Sequence, residues 1–188
     1  MRTAIHTYNL CFLGFGNVNR TLVRLLADRG QELRERYGIS FRITGIASRR
    51  LGWIANAEGL DAGSLVALNS DSPPAFSRAG APAPHGPASH GNVREWLAAA
   101  HADVLFEATS LNVQDGQPAV DHIRAALEHG AHAITANKGP IVHGYRELRD
   151  LAAARGKKRG ARGGAPGRSG RGASRIWKRN FADSLCAR

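Results

Sequence analysis

A chain of 188 residues, 43% of them apolar, has room for one domain with an ordinary core. Its formal charge of +11 would direct it to nucleic acid or a membrane surface if evenly spread, but residues 1–154 hold 15 Lys and Arg against 14 Asp and Glu, whereas 155–188 hold 11 against 1. The basicity belongs to the tail, and no run approaches the roughly 18 apolar residues that a membrane-spanning helix requires.

Tyr8 to Leu13 reads as a buried strand. A glycine turn follows, and then Val18, Leu22, Val23, Leu25 and Leu26 recur at helical spacing as far as about Arg36. Phe41, Ile43, Ile46 and Ala47 predict a second strand ending at Ser48-Arg49-Arg50. Strand, helix and strand make one βαβ unit with parallel strands and a right-handed crossover. From Leu51 to Gly91 the pattern weakens, and Ser72-Pro73-Pro74 together with the proline-rich run at 81–87 predicts an irregular connection. Val93, Trp96 and Leu97 indicate a short helix, and Asp103 to Ala108 a central strand entering a loop at Thr109 to Gly116. Pro118 opens a helix to Glu128 that Gly130 closes. Ala133 to Ala136 is the next strand, and Tyr145, Leu148 and Leu151 support a last helix ending near Arg155. The alternation predicts an α/β fold with a doubly wound, mostly parallel, Rossmann-type sheet over residues 1–155. Residues 156–188, with seven glycines, many basic residues and no periodicity, are expected to form a disordered basic C-terminal tail.

Gly14-Phe15-Gly16-Asn17-Val18-Asn19 stands between the first strand and the first helix, where a dinucleotide fingerprint belongs. Gly14 fits the tight turn and Gly16 the close approach to a pyrophosphate at a helix N-terminus, while the third glycine position is Asn19. The second strand ends in Ser48, Arg49 and Arg50, without the carboxylate that would hold the 2′-hydroxyl of NAD, so NADP(H) is expected to be preferred, with NAD(H) as the alternative. Lys138 follows Asn137 at the carboxyl edge of a predicted strand, where a lysine can give a proton to a developing alkoxide.

The segments Gly14-Phe15-Gly16-Asn17-Val18, Glu107-Ala108-Thr109-Ser110, Asp115-Gly116-Gln117-Pro118-Ala119 and Ala136-Asn137-Lys138-Gly139-Pro140, in that order and spacing, resemble the nucleotide-binding half of homoserine dehydrogenase from about Asn9 to Ala154. The resemblance implies reversible hydride transfer between NAD(P)H and the aldehyde carbon of aspartate semialdehyde, giving homoserine. It implies that Gly14, Phe15, Gly16, Asn17 and Val18, with Ser48, Arg49 and Arg50, hold the adenine dinucleotide. Thr109, Ser110 and Asn137 would lie along the pyrophosphate and nicotinamide, and Lys138 at the active site. The second domain of that family, with its substrate-binding acids and another catalytic lysine, is not recognisable here. The text after Lys157 resembles the product of a shifted reading frame, so the chain is expected to be a fragment with little activity of its own, which meets the semialdehyde or homoserine only when a catalytic domain is supplied.

Other readings stay open: a different two-domain NAD(P)-dependent dehydrogenase or reductase, or a protein whose tail binds nucleic acid nonspecifically, with Trp177 and Phe181 available for stacking. His122, His129 and His132 lack carboxylates or cysteines at ligand spacing, so they are expected to be solvated and no metal site is proposed. Asp103 and Glu107 are expected to cap strand ends or form salt bridges rather than act as an acid/base pair. Cys11, in the first strand, and Cys186, in the tail, have no partner at framework or ligand spacing. With no signal-peptide pattern in the opening residues, a cytoplasmic, membrane-free setting is expected.

Overall fold

A computed structural model describes residues 5–67 and 92–160, the last four by their backbone alone. Residues 68–91, which hold most of the expected irregular connection, and residues 161–188 of the expected tail, lie outside the described set.

Five strands form one sheet in the order β3-β2-β1-β4-β5. They are β1 (His6–Leu13), β2 (Ile39–Ser48), β3 (Gly52–Ala55), β4 (Val104–Glu107) and β5 (His132–Thr135). β1 pairs in parallel with β2 and β4, and β4 with β5, whereas β3 runs antiparallel to β2. The helices are α1 (Asn17–Tyr37), α2 (Ala62–Ala67), α3 (Val93–Ala99), α4 (Ala119–His129), α5 (Gly139–His143) and α6 (Tyr145–Gly160). The sheet is mostly parallel and covered on both faces, as the alternating sequence pattern requires.

Alternation along the strands divides the core. Leu10, Phe12, Ile43 and Ile46 point to one face, where they pack with Phe15 and Val23 of the turn and α1 and with Leu65 of α2. Cys11, Leu13, Ala47 and Leu105 point to the other, against Trp96 and Leu97 of α3 and Ala125 and Ala126 of α4. Ile43 and Ile46 are three residues apart yet share a face because the register slips at this point. Leu10 pairs with Ile43 and Cys11 with Gly45, leaving Thr44 as an extra residue in β2. Phe12 stacks on Phe106 of β4 at 5.0 Å between ring centroids, which ties the two central strands on the α1 side.

Four departures from the sequence expectation have physical causes or a plain geometric reading. Residues 51–67, read as irregular, contain β3 and α2. β3 has only four residues, too few to show a period, and tertiary contacts hold it: the Trp96 indole donates from Nε1 to the Ile54 carbonyl at 2.9 Å, and Trp53 meets the same ring edge to face. α5, within the stretch after Lys138, is likewise too short for a period. The last helix passes the expected end at Arg155 and continues to Gly160, through a stretch whose lysines and arginine are good helix formers and whose Gly156 costs only about 1 kcal/mol. At α4, Pro118 is the N-cap rather than a residue of the first turn, and Gly130 closes the helix in the left-handed conformation at φ 94°.

Among the described residues, no helix is long and apolar enough to cross a membrane.

Candidate functional site

The strand order changes direction between β1 and β4, and in open α/β sheets that point, at the carboxyl ends of the strands, is where ligands bind. Gly14 leaves β1 with φ +82°, and a Cβ built there would lie 2.7 Å from the Thr109 nitrogen and closer still to the Ala108 carbonyl. Both conditions demand glycine. The Gly14 and Phe15 N–H groups donate to the Ala47 carbonyl at 2.8 and 3.0 Å, and the Gly16 N–H to the Gly14 carbonyl at 2.8 Å. Phe15 itself is a core residue at 3% exposure, so its contribution is to lock the turn.

The donors left over belong to α1. Among the described residues nothing accepts from the backbone N–H groups of Asn17, Val18 and Asn19. No side chain caps this helix, and its first turn contains no acidic residue. Val18 is exposed, and a Cβ on Gly16 would meet nothing within 4 Å. Open space over Gly16, beside unpaired N–H groups at a positive helix end, is what a pyrophosphate needs. The residues present fit a dinucleotide.

Asn19, at the third fingerprint position, does what a glycine cannot. It is 2% exposed, and its Nδ2 donates to the carbonyls of Leu13 and Gly14 at 3.1 Å each and more weakly to Phe106 at 3.4 Å. It thus binds the end of β1, the turn and β4 together.

The ends of the other strands supply the remaining predicted residues. Ser48 Oγ accepts from the Leu51 N–H at 3.1 Å and shapes the turn into β3. Arg49 and Arg50 are exposed in that turn, and Arg49 Nη2 reaches across to Ser110 Oγ at 3.4 Å. Asn137 is buried; its Nδ2 donates to the carbonyls of Thr109 and Ser110 at 3.3 and 3.4 Å, and its Oδ1 accepts from the Gly139 N–H at 3.0 Å. Lys138 is the N-cap of α5, with an exposed side chain that pairs with no other described residue. The loop after β4 and the loop after β5 touch backbone to backbone, since a Cβ on Gly139 would lie 2.9 Å from the Gly116 Cα. The predicted residues therefore share one edge of the sheet, with the glycine turn at its centre, Arg49 on the β2 side and Lys138 on the β5 side.

Sequence reasoning undervalued Glu107. This carboxylate, at the end of β4, is 1% exposed and forms no salt bridge among the described residues. Its Oε1 accepts from the Thr109 N–H at 2.7 Å and the Thr109 hydroxyl at 2.5 Å, and its Oε2 accepts from the Thr135 hydroxyl at 2.5 Å. The signal available in the sequence was an acidic residue inside an apolar strand followed by Thr-Ser. Asp103 does cap a strand, its Oδ2 accepting from the Asn9 N–H at 2.9 Å. His122, expected to be solvated, is instead half-buried on α4, and its Nδ1 has no hydrogen-bond partner among the described residues. Burial pushes its pKa down, against the opposing charges of Glu107 and Asp121. The Cys11 thiol is buried and pushed up to about 12 by desolvation, so it stays protonated. Among the described residues no group of three or more His, Cys, Asp or Glu is placed to hold a metal ion.

Fold and edge together define a Rossmann-type dinucleotide-binding domain. The model of the homoserine dehydrogenase NAD-binding domain matches residues 14–159, and the chain belongs to that family. An NAD(+)-dependent homoserine dehydrogenase of Pseudomonas canavaninivorans is 41% identical over 145 residues, covering 77% of this chain and 40% of that protein. A homoserine dehydrogenase of Methanocaldococcus jannaschii is 27% identical over 152 residues, covering 74% and 39%. Among solved structures, a hyperthermophilic archaeal homoserine dehydrogenase mutant in complex with NADPH superposes with a TM-score of 0.55 at 21% identity, over 80% of this chain and 42% of that one. The enzyme of Thermoplasma acidophilum gives 0.57 at 20% identity, over 80% and 41%. The chain thus spans about two fifths of the length of these relatives.

Proposed function

We propose that this chain is the nucleotide-binding half of a homoserine dehydrogenase, acting in reversible hydride transfer between a pyridine nucleotide and the aldehyde carbon of aspartate semialdehyde. The observation that carries the reading is the family match together with an open glycine turn at the switch point of the sheet. The nucleotide, when bound, supplies or accepts the hydride.

In this reading the N–H groups of Asn17 and Val18 hold the pyrophosphate over Gly16. Arg49 and Arg50 meet the adenosine ribose at the end of β2, and Thr109, Ser110 and Asn137 line the opposite half. Lys138, exposed at the end of β5, gives a proton to the carbonyl oxygen as the aldehyde is reduced and takes it back in the reverse direction. The absence of a carboxylate in Ser48–Leu51 favours NADP(H). The name of the 41%-identical relative favours NAD(H). Holding the aldehyde carbon at near-attack distance can contribute about 7–11 kcal/mol to lowering the barrier, and Lys138 alone does not orient a substrate.

Calorimetric titration with NADPH and NADH tests the nucleotide site, and absence of binding to either would refute the reading. The 188-residue chain is expected to bind nucleotide yet oxidise homoserine no faster than a Lys138→Ala control. Robust turnover that disappears in that control would show that these residues suffice for catalysis.

A further inference from the structure

We propose that Glu107 is the positioning residue of the nicotinamide side of the site, its buried carboxylate locking the loop that follows β4 to the loop that presents Lys138. The inference rests on the nucleotide-binding reading above.

Four residues close a ring. Glu107 takes two hydrogen bonds from Thr109 through one oxygen and one from Thr135 through the other. The Thr135 oxygen in turn accepts from the Asn137 N–H at 2.9 Å, and the Asn137 side chain returns to the Thr109 and Ser110 carbonyls. Two sides of the ring cross from the edge of β4 to the edge of β5, Glu107 to Thr135 and Thr109–Ser110 to Asn137, and the residue after Asn137 is Lys138. In the nucleotide-binding reading the strand order assigns this half: the glycine turn sits at the switch point, the β2 end is left for the adenosine, and the β4–β5 side for the nicotinamide.

The chemistry explains why the residue is a carboxylate. Three donors converge on Glu107, and an ionised carboxyl is acceptor-only, with about four lone-pair directions for them. A glutamine of the same size would turn an NH2 group toward one set of donors and leave groups unpaired in a buried place, which is costly. A buried carboxylate with no cation paired to it among the described residues is an expensive way to join two loops if stability alone were at stake. Its geometry is directed at the two segments that flank the ligand edge. No strand pairing depends on it, since the β4–β5 ladder is made by backbone groups from Val104–His132 to Glu107–Thr135.

The experiment compares a fragment with the whole ligand on the full chain. ADP-ribose reports on the glycine turn and the β2 side, whereas reduced dinucleotide also engages the β4–β5 side. In Glu107→Gln, ADP-ribose affinity is expected to stay within about twofold of wild type, while affinity for NADH and NADPH falls about tenfold, the scale of one charge-assisted hydrogen bond. The fluorescence change of the reduced nicotinamide on binding should shrink with it. Thr135→Val, which removes one donor, should give the same split, and Thr135→Ser should restore wild-type binding. These two variants decide the matter if Glu107→Gln does not fold. Equal loss of fragment and dinucleotide, or loss of neither, overturns the positioning role while leaving the nucleotide site intact. A wild-type chain that binds no nucleotide overturns the proposed function and this inference with it.

Discussion

Arg49 at the end of β2 and Ser110 in the loop after β4 are 61 residues apart in sequence, yet the guanidinium of one lies 3.4 Å from the hydroxyl of the other. The contact draws an exposed cation along the edge of the sheet where the adenosine end of a dinucleotide would rest. Arg49→Asp should therefore lower the ratio of NADPH to NADH affinity by about tenfold or more, because hydrogen bonds between charged groups contribute about 1.5–3 kcal/mol. Calorimetry with both nucleotides measures the ratio, and an unchanged value would remove Arg49 from the site.

The two glycines of the turn should fail in different ways. Gly14→Ala places a Cβ in collision with the backbone of Ala108 and Thr109 at a positive φ, and should cost several kcal/mol of stability. Gly16→Val faces open space, so its melting temperature should be close to wild type while nucleotide binding is lost. Thermal unfolding paired with nucleotide titration separates the two. A Gly16→Val protein that binds normally would mean the pyrophosphate lies elsewhere.

Completing the glycine fingerprint should harm this protein. Asn19→Gly removes a buried amide that donates to three carbonyls and adds backbone freedom within α1, for a combined loss of about 2 kcal/mol. Urea denaturation of the variant measures it. A gain in stability would show that the asparagine is tolerated rather than required.

Stability should fall on mild acidification. Burial holds His122 below its ordinary value of 6.5, and His129 is shifted the same way, chiefly by desolvation. The unfolded chain then binds more protons than the folded one between the lowered values and 6.5. Stability is full above about pH 6.5, declines as the pH drops through that value, and levels off below the folded-state values. Glu147, pulled down by its hydrogen bond to Arg124, and Asp61, pulled down by the Ser64 N–H, act only in the more acidic carboxylate range. Unfolding curves at about pH 7.5 and about pH 5.5 should converge in His122→Gln relative to wild type. An identical slope in the variant would contradict the burial argument.

The order of strands and helices, the glycine turn and the Asn137-Lys138 segment were legible in the sequence because each rests on local signals: apolar period, a tight turn, a proline before a helix and a glycine after it. The resemblance to homoserine dehydrogenase was legible for the same reason, being carried by short contiguous motifs. β3, α2 and α5 were not, since four to six residues show no period and β3 is held by Trp96, from outside its own segment, against Trp53 and the Ile54 carbonyl. Only the tertiary structure decided that Glu107 is a buried hub, that Asn19 replaces a glycine by binding carbonyls, that Gly116 and Gly139 touch, and that Arg49 meets Ser110. The physical reason is distance along the chain. Glu107 and Thr135 are 28 residues apart, and a carboxylate's partners are set by which strand ends the parallel sheet places side by side, something no local pattern of residues encodes.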